Sequence, residues 1–450
     1  MKDDNFLKEN NARHLWHPMG HPADSLANPP KIITGAEGVK ITDIDGHSVV
    51  DAVGGLWCVN LGYSNDVVKD AIAKQLYDLP YYSAFAGSTN PPAIEASLAV
   101  REMFADDGMA RVFFTSGGSD AVETTLRLAR QYHRLRGEPT RTKFISLKKG
   151  YHGTHFGGAS VNGNNRFRIS YEPLLPGCFH LPSPYPYRNP YGETDPAKLA
   201  QNIAAAFEDE VAFQDPKTIA AFIMEPVQGA GGVIVPDASF MGLMRDVCTR
   251  HGILMISDEV ITGFGRTGDW SGARHWGVKP DMMSLAKGIT SAYFPVGAAL
   301  MSDQVAEVFE NDRSADGGIF HGYTYSAHPV GAAAVTACLS ETLRLDTKTN
   351  AAARGAQLYQ GVQKLQDKYD VIGDVRGGEG LMTALELVSD RAAKTPLDMA
   401  AMKRVHQATY EAGSMVRLGM NNILMSPPLT ISEAEVDVIL SALDAGLAAV

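Results

Sequence analysis

Two short apolar runs, each closed by a charged residue, constrain the fold of this 450-residue chain more than any other feature. The first is Ile253-Leu254-Met255-Ile256-Ser257-Asp258, and the second is Met282-Met283-Ser284-Leu285-Ala286-Lys287. Short unbroken runs of this kind are the pattern of strands covered on both faces. In open α/β sheets the tips of such strands carry the chemistry. A carboxylate and an ammonium at those tips are costly to desolvate unless each meets a partner. One cofactor would serve both: pyridoxal phosphate takes a lysine amine as a Schiff base and a carboxylate on its pyridinium nitrogen.

The flanking chain has the rhythm of an α/β sheet protein. Further strands are expected at Arg111–Thr115, Lys143–Leu147, Ile219–Met224 and Gly297–Met301, with the two runs above supplying Ile253–Ser257 and Met282–Leu285. Helical patterns at Ala93–Phe104, from Ser119 to Arg136 and at Phe240–Arg250 lie between them. That alternation predicts a mostly parallel sheet with helices on both faces. Residues 11–60 read as irregular, punctuated by Pro18, Pro22, Pro29 and Pro30. Within them a hairpin is expected at Ile41–Ile44 and Ser48–Asp51 about an Asp45-Gly46 turn. Beyond Ala327 the pattern is helix-rich, with strands at Val371–Arg376, Leu381–Leu387 and Ile423–Met425, a smaller α+β unit.

Composition narrows the function classes. A net charge of −11 with no basic cluster excludes a nucleic-acid surface. Cys58, Cys178, Cys248 and Cys338 are scattered and lack metal-site spacing, which points to reduced thiols. Neither a leader-type apolar region near Met1 nor a run of membrane-spanning length is present, so a cytoplasmic protein without membrane association is expected.

Several motifs have a bland reading beside a functional one. Ser116-Gly117-Gly118-Ser119-Asp120 joins a strand to a helix: free amides there would form an anion site, or Ser119 or Asp120 would simply cap the helix. Gly263-Phe264-Gly265-Arg266-Thr267-Gly268 matches a dinucleotide fingerprint literally. The helix that such a site needs is broken by Ser271-Gly272, Gly277 and Pro280. Tyr151 and His152 follow a strand, where an aromatic ring can stack on a flat ligand. His152 and His155 lack further ligands for a metal. Glu225 ends another strand and reads either as a site carboxylate or as a solvated loop residue. Trp57 reads as core, and Arg417, the one cation in an apolar stretch, as a surface arginine unless context says otherwise.

Together these pieces resemble the class III (omega) aminotransferases, over roughly residues 32–428. The most specific segment is Ser257-Asp258-Glu259-Val260-Ile261-Thr262-Gly263-Phe264-Gly265-Arg266-Thr267-Gly268, followed by Ala286-Lys287-Gly288 and by His321-Gly322-Tyr323-Thr324. The resemblance implies the fold type I of pyridoxal-phosphate-dependent transferases: a large domain over 66–327 with a mostly parallel seven-stranded sheet, and a smaller α+β domain built from both termini, 1–65 and 328–450. It implies that Lys287 is the Schiff-base lysine and Asp258 the pyridinium partner. Val260 and Tyr151 would lie on the two ring faces, with His152 beside the cofactor and Glu225 near the ring hydroxyl. Gly118 and Ser119 would hold the phosphate, joined by Thr324 of a second copy, so a homodimer or a tetramer is expected. The family usually has Ser-Gly-Ser-Glu or Ser-Gly-Thr-Glu at that loop. Here Gly117 replaces the first serine and Asp120 the longer acid.

Within the family the resemblance is nearest to the amine:pyruvate and beta-alanine:pyruvate aminotransferases. It implies an aromatic pocket of Trp57, Phe85, Tyr151 and Tyr323, with Arg417 swinging in for the carboxylate of pyruvate. The substrates would be a small-molecule amine or omega-amino acid and a 2-oxo acid, in a ping-pong reaction. 2-Oxoglutarate is the alternative acceptor.

Overall fold

The runs that end in Asp258 and precede Lys287 form neighbouring strands in the middle of a seven-stranded sheet. In the computed structural model, which describes residues 3–85 and 87–450, the strand order is Met109–Thr115, Gly297–Ser302, Met282–Leu285, Leu254–Asp258, Ile219–Met224, Lys143–Leu147 and Cys178–Leu181. Neighbours from Met282–Leu285 to Cys178–Leu181 are parallel. Gly297–Ser302 runs antiparallel to both of its neighbours, so Met109–Thr115 points the same way as the parallel set.

Burial explains why the central strands lack alternation. Every residue of Ile219–Met224 is buried. Phe222 and Met224 enter one apolar cluster with Met255, Met283 and Leu285, whereas Ala221 and Ile223 enter another with Leu254, Ile256 and Met282. The two-residue period of a strand thus feeds two cores, one on each face of the sheet. With the strands parallel, their C-terminal tips collect at one edge, and that edge is where Glu225, Asp258 and the Ser116–Asp120 loop emerge.

Two smaller sheets involve the chain ends. Ile372–Arg376, Thr383–Asp390, Asn422–Met425 and Arg417–Gly419 form an antiparallel sheet, with Thr395–Pro396 added beside Thr383–Asp390. Ile33–Glu37, Lys40–Asp43 and Ser48–Asp51 pair in antiparallel order, and Ser414–Met415 joins Ser48–Asp51 in parallel. Val39, Val50 and Ala52 pack in one cluster with Leu358, Val362, Ile439 and Leu443, so residues near the N-terminus share a core with C-terminal helices.

The structure departs from the sequence expectations in particular places. The segment read as irregular holds the Ile33–Glu37 strand and the short Pro22–Ala27 helix. All five residues of that strand are exposed, so no apolar pattern marks it. The edge strand Cys178–Leu181 is also additional, four residues long and only partly buried. The Asp258 strand includes the aspartate itself and begins at Leu254. After Ser116 the helix begins at Gly118 with Gly117 as its cap, and neither Ser119 nor Asp120 caps it. Among the described residues no helix is long and apolar enough to cross a membrane.

Candidate active site

Asp258 is almost fully buried, 3% exposed, and has two protein partners. Its Oδ2 lies 2.7 Å from His152 Nδ1, and its Oδ1 accepts from the Val260 amide at 3.2 Å. A carboxylate oxygen accepts here when the His152 tautomer carries its proton on Nδ1. His152 is itself buried; its backbone amide donates to Asn162 Oδ1, and its Nε2 has no partner among the described residues. A Cβ at Gly150 would lie 3.1 Å from that Nε2 and 3.0 Å from Leu147 O, which leaves little room for any larger residue.

Lys287 opens a short 3-10 turn, Lys287–Ile289, with its backbone in the left-handed region at φ +49°. A non-glycine residue held there stores strain, and such residues concentrate at functional sites. The next residue has no room for a side chain: a Cβ at Gly288 would sit 2.5 Å from Asn60 Nδ2 and 3.0 Å from Phe264 Cβ. Burial lowers the Lys287 pKa, while the nearby charge of Asp258 acts in the opposite direction.

Glu225 is buried and accepts from the amides of Tyr151 at 2.8 Å and Gly229 at 3.0 Å. Burial pushes its pKa up to about 7; the negative charge of Asp258 adds to the rise, and His152 and the two amides oppose it. The Tyr151 ring packs edge-on against Phe167, with centroids 5.0 Å apart. Burial raises its phenol pKa, Asp258 adds to the rise and Arg417 opposes it.

The loop after the Met109–Thr115 strand closes the same space. A Cβ at Gly118 would come within 2.9 Å of Val260 Cγ1 and 3.4 Å of Ala286 Cβ, so Gly118, Val260 and the residue before Lys287 are packed together. A Cβ at Gly153 would lie 2.6 Å from Ser119 Oγ, which accepts from the Thr154 amide at 3.3 Å. The helix that starts at Gly118 leaves first-turn amides without helical partners, a favourable setting for an anion. Asp120, one carbon shorter than the acid usual in the family, pairs with His155 at 2.6 Å and accepts from the Ser116 amide.

A family model described as Aminotransferase class-III matches residues 23–447. The chain belongs to the class III aminotransferases. It is 37% identical over 420 residues to a diaminobutyrate–2-oxoglutarate transaminase of Halomonas elongata, a match covering 92% of this chain and 89% of the relative. It is 36% identical over 415 residues to a putrescine–pyruvate aminotransferase of Pseudomonas aeruginosa, covering 90% and 88% of the two chains. A crystal structure of an amine transaminase from an uncultivated Pseudomonas species, in the pyridoxal-phosphate-bound form, superposes with a TM-score of 0.95 at 48% identity, covering 97% of this chain and 98% of that one. The fold is therefore the fold type I of pyridoxal-phosphate-dependent enzymes, and the literal GxGxxG at Gly263–Gly268 lies within the residues matched by the aminotransferase model.

Class III aminotransferases use pyridoxal phosphate, and the donor set here fits that group. A buried carboxylate ends one strand and a lysine amine follows the adjacent strand, the carboxylate is locked by a histidine, and a helix N-terminus lies beside them.

The other residues singled out in the sequence come from other elements of the chain. Trp57 is buried in an apolar cluster with Val227, Ile261 and Leu424, its backbone at φ +64°. Phe85 is exposed and lies against Gly322. The Tyr323 hydroxyl donates to Asp120 O at 3.1 Å, and the Thr324 carbonyl accepts from the Tyr81 hydroxyl at 2.8 Å. Among the described residues no hydrogen bond links Thr324 to the Ser116–Asp120 loop of its own chain. Arg417 begins the Arg417–Gly419 strand, half-buried.

Sequence reasoning passed over three supporting residues. Glu259 is fully buried and satisfied by Ser257, Thr262 and the amides of Gly272 and Ala273. Arg266 is fully buried and donates to Leu381 O, Pro427 O and Asn60 Oδ1. Asn60, besides crowding Gly288, donates to Phe264 O at 3.3 Å. Arg266 lay within the signature, but its partners are distant in sequence and carry no local signal.

Proposed function

We propose that this class III aminotransferase is an omega-transaminase that takes the amino group of an amine or omega-amino acid and delivers it to pyruvate, yielding alanine, in two half-reactions at one site. The observation that carries the reading is the buried His152–Asp258 pair on the strand beside the one that leads to Lys287. Bound pyridoxal phosphate supplies the electron sink for breaking a bond at the amine-bearing carbon.

The remaining chemistry belongs to the chain. Lys287 would hold the cofactor and, once displaced by the amine, move a proton as general base and then general acid; its lowered pKa favours the free amine. Asp258, oriented by His152, would keep a proton on the ring nitrogen. Val260 and Tyr151 would confine the ring, and Glu225 would fix the Tyr151 backbone and sit near the ring hydroxyl. Gly118 and Ser119 would bind the phosphate with Thr324 of a second copy. Trp57, Phe85, Tyr151 and Tyr323 would line the amine pocket, and Arg417 would bind the acceptor carboxylate. A cytoplasmic location accords with this chemistry.

The Halomonas relative is named for 2-oxoglutarate and the Pseudomonas relative for pyruvate, so the acceptor is the open choice. One titration tests it. The visible cofactor band of the purified protein should bleach with an amine and return with pyruvate. A return only with 2-oxoglutarate overturns the acceptor, and the absence of any band after adding pyridoxal phosphate overturns the site.

A further inference from the structure

The turn that begins at Lys287 holds three non-glycine residues in the left-handed region: Lys287 at φ +49°, Ser291 at +49° and Ala292 at +65°. Such a run persists only where its surroundings over-determine it. Here those surroundings include one distant segment, residues 60–65, laid along the turn. The Leu61 amide donates to Ser291 Oγ at 2.8 Å, the Asn65 amide donates to the Tyr293 hydroxyl oxygen at 2.8 Å, and that hydroxyl donates to Gly62 O at 3.0 Å. Asn60 meets the lysine end of the turn. A Cβ at Gly288 would sit 2.5 Å from Asn60 Nδ2, so the side-chain amide is packed against the backbone of the residue after Lys287.

Asn60 is itself pinned. It is 2% exposed; its Nδ2 donates to Phe264 O at 3.3 Å, its Oδ1 accepts from Arg266 at 2.9 Å, and its carbonyl accepts from the Leu429 amide at 2.8 Å. Arg266 is fully buried, and its other hydrogen bonds among the described residues go to Leu381 O and Pro427 O, not to a carboxylate. Desolvating a guanidinium for neutral acceptors is costly, and an apolar side chain of similar volume often serves folding as well. What the guanidinium does supply is direction: it fixes which way the Asn60 amide faces.

We infer that Asn60 is a positioning residue of the reaction: oriented by Arg266, it braces Gly288 and so holds the backbone of Lys287 in the one conformation from which its amine can act. The inference rests on the role given to Lys287 above. It acts through the backbone, and a displacement of about 1 Å at a reacting group costs up to about 10²-fold in rate.

The test compares the full-length wild type with N60A, G288A and N60A/G288A. N60A removes the brace, and G288A forces a Cβ against it. The double variant puts that Cβ into the space the amide has left, where Phe264 Cβ at 3.0 Å is the nearest remaining neighbour. On cofactor-stripped protein, methylation of Lys287 by formaldehyde and cyanoborohydride is followed across pH by mass spectrometry of its peptide. Both single variants should move the midpoint up toward the ordinary 10.5, because burial is the largest influence holding it down, and the double variant should bring it back. On the holoenzyme, the rate at which saturating 1-aminobutane bleaches the cofactor band should fall about tenfold in each single variant. It should recover at least about threefold in the double, with half-saturation unchanged throughout. An unchanged midpoint and rate in either single variant overturns the proposal, as does a double variant impaired by the product of the two single losses. Lower thermal stability with wild-type midpoint and rate assigns Asn60 to packing alone and also overturns it. G288A leaves the hydrogen-bond partners of Asn60 in place, so it decides the matter if N60A does not fold. If no amine bleaches the wild-type band, the transaminase reading fails while the methylation midpoints still report on Asn60.

Discussion

At the bottom of the site the acidic groups are held by the protein. Asp258 is held by His152 and the Val260 amide, Glu225 by two amides, and Glu259 by two hydroxyls and two amides. Near Tyr151, the half-buried Arg417 has no carboxylate partner among the described residues. The first arrangement is preorganised: dipoles and protons are in place before any ligand arrives, which is where electrostatic catalysis gains most. The second is open, so its charge can follow whichever substrate is present. A site that must accept two chemically unlike substrates in turn needs both kinds of region.

The comparison breaks most visibly at Lys287. Lys287→Met should reduce transamination on the order of 10⁴-fold or more, at the upper end of what a positioned acid–base group contributes. It should also remove the lysine-linked visible band. The chain should stay folded, since the variant replaces a desolvated amine with an apolar side chain of similar reach. Measured turnover within tenfold of wild type would contradict the role given to this residue. Asp258→Asn comes next. It keeps the shape but removes the charge that His152 Nδ1 faces, and it should reduce the rate about 10² to 10³-fold, the scale for losing one preorganised electrostatic partner. The bound cofactor's absorbance should lose its normal pH dependence in the same variant.

Glu225 sharpens the comparison because its environment opposes its charge. In the unfolded chain its pKa is near the ordinary 4.5, and in the folded chain about 7. Between those values the folded state keeps a proton that the unfolded state has released. Its contribution to stability is therefore fully present below pH 4.5 and is lost as pH rises through 7. The full loss is about 3 kcal/mol from the shift alone. Unfolding of the cofactor-stripped protein in denaturant, repeated across this window, should show that decline, and Glu225→Gln should flatten it. An equally steep decline in the variant would assign it to another group.

The bottom of the site was largely legible in the sequence and the mouth was not, for physical reasons. Strands buried on both faces leave unbroken apolar runs, so a charge at the end of one, as at Asp258 or Lys287, stands out locally. The exposed Ile33–Glu37 strand has no such contrast, and the edge strand Cys178–Leu181 is too short to show one. The pairing of His152 with Asp258 spans 106 positions and is written in no local pattern; only the resemblance brought those two residues to one site. Arg417 is the one cation in its apolar stretch and reads locally as a surface arginine. Its half-burial without a carboxylate partner among the described residues is a product of three-dimensional packing. Trp57 shows the opposite limit. Its burial among Val227, Ile261 and Leu424 agrees with the plain core reading of an apolar aromatic, and its pocket role rests on family resemblance.

The smallest effect belongs to Arg417. Arg417→Leu removes a cation with no carboxylate partner among the described residues, so folding loses no ion pair seen there, and relief of its desolvation offsets some of the lost packing. Thermal unfolding should therefore stay close to wild type. The KM for pyruvate should rise about tenfold, the scale of one charge-assisted contact to a carboxylate. An uncharged donor such as 1-aminobutane should retain its rate of bleaching the cofactor band, because it brings no anion to the mouth. Equal losses for the acceptor and the uncharged donor would mean that Arg417 shapes the pocket by packing, and the contrast between a saturated bottom and an unpaired mouth would then have no bearing on substrate choice.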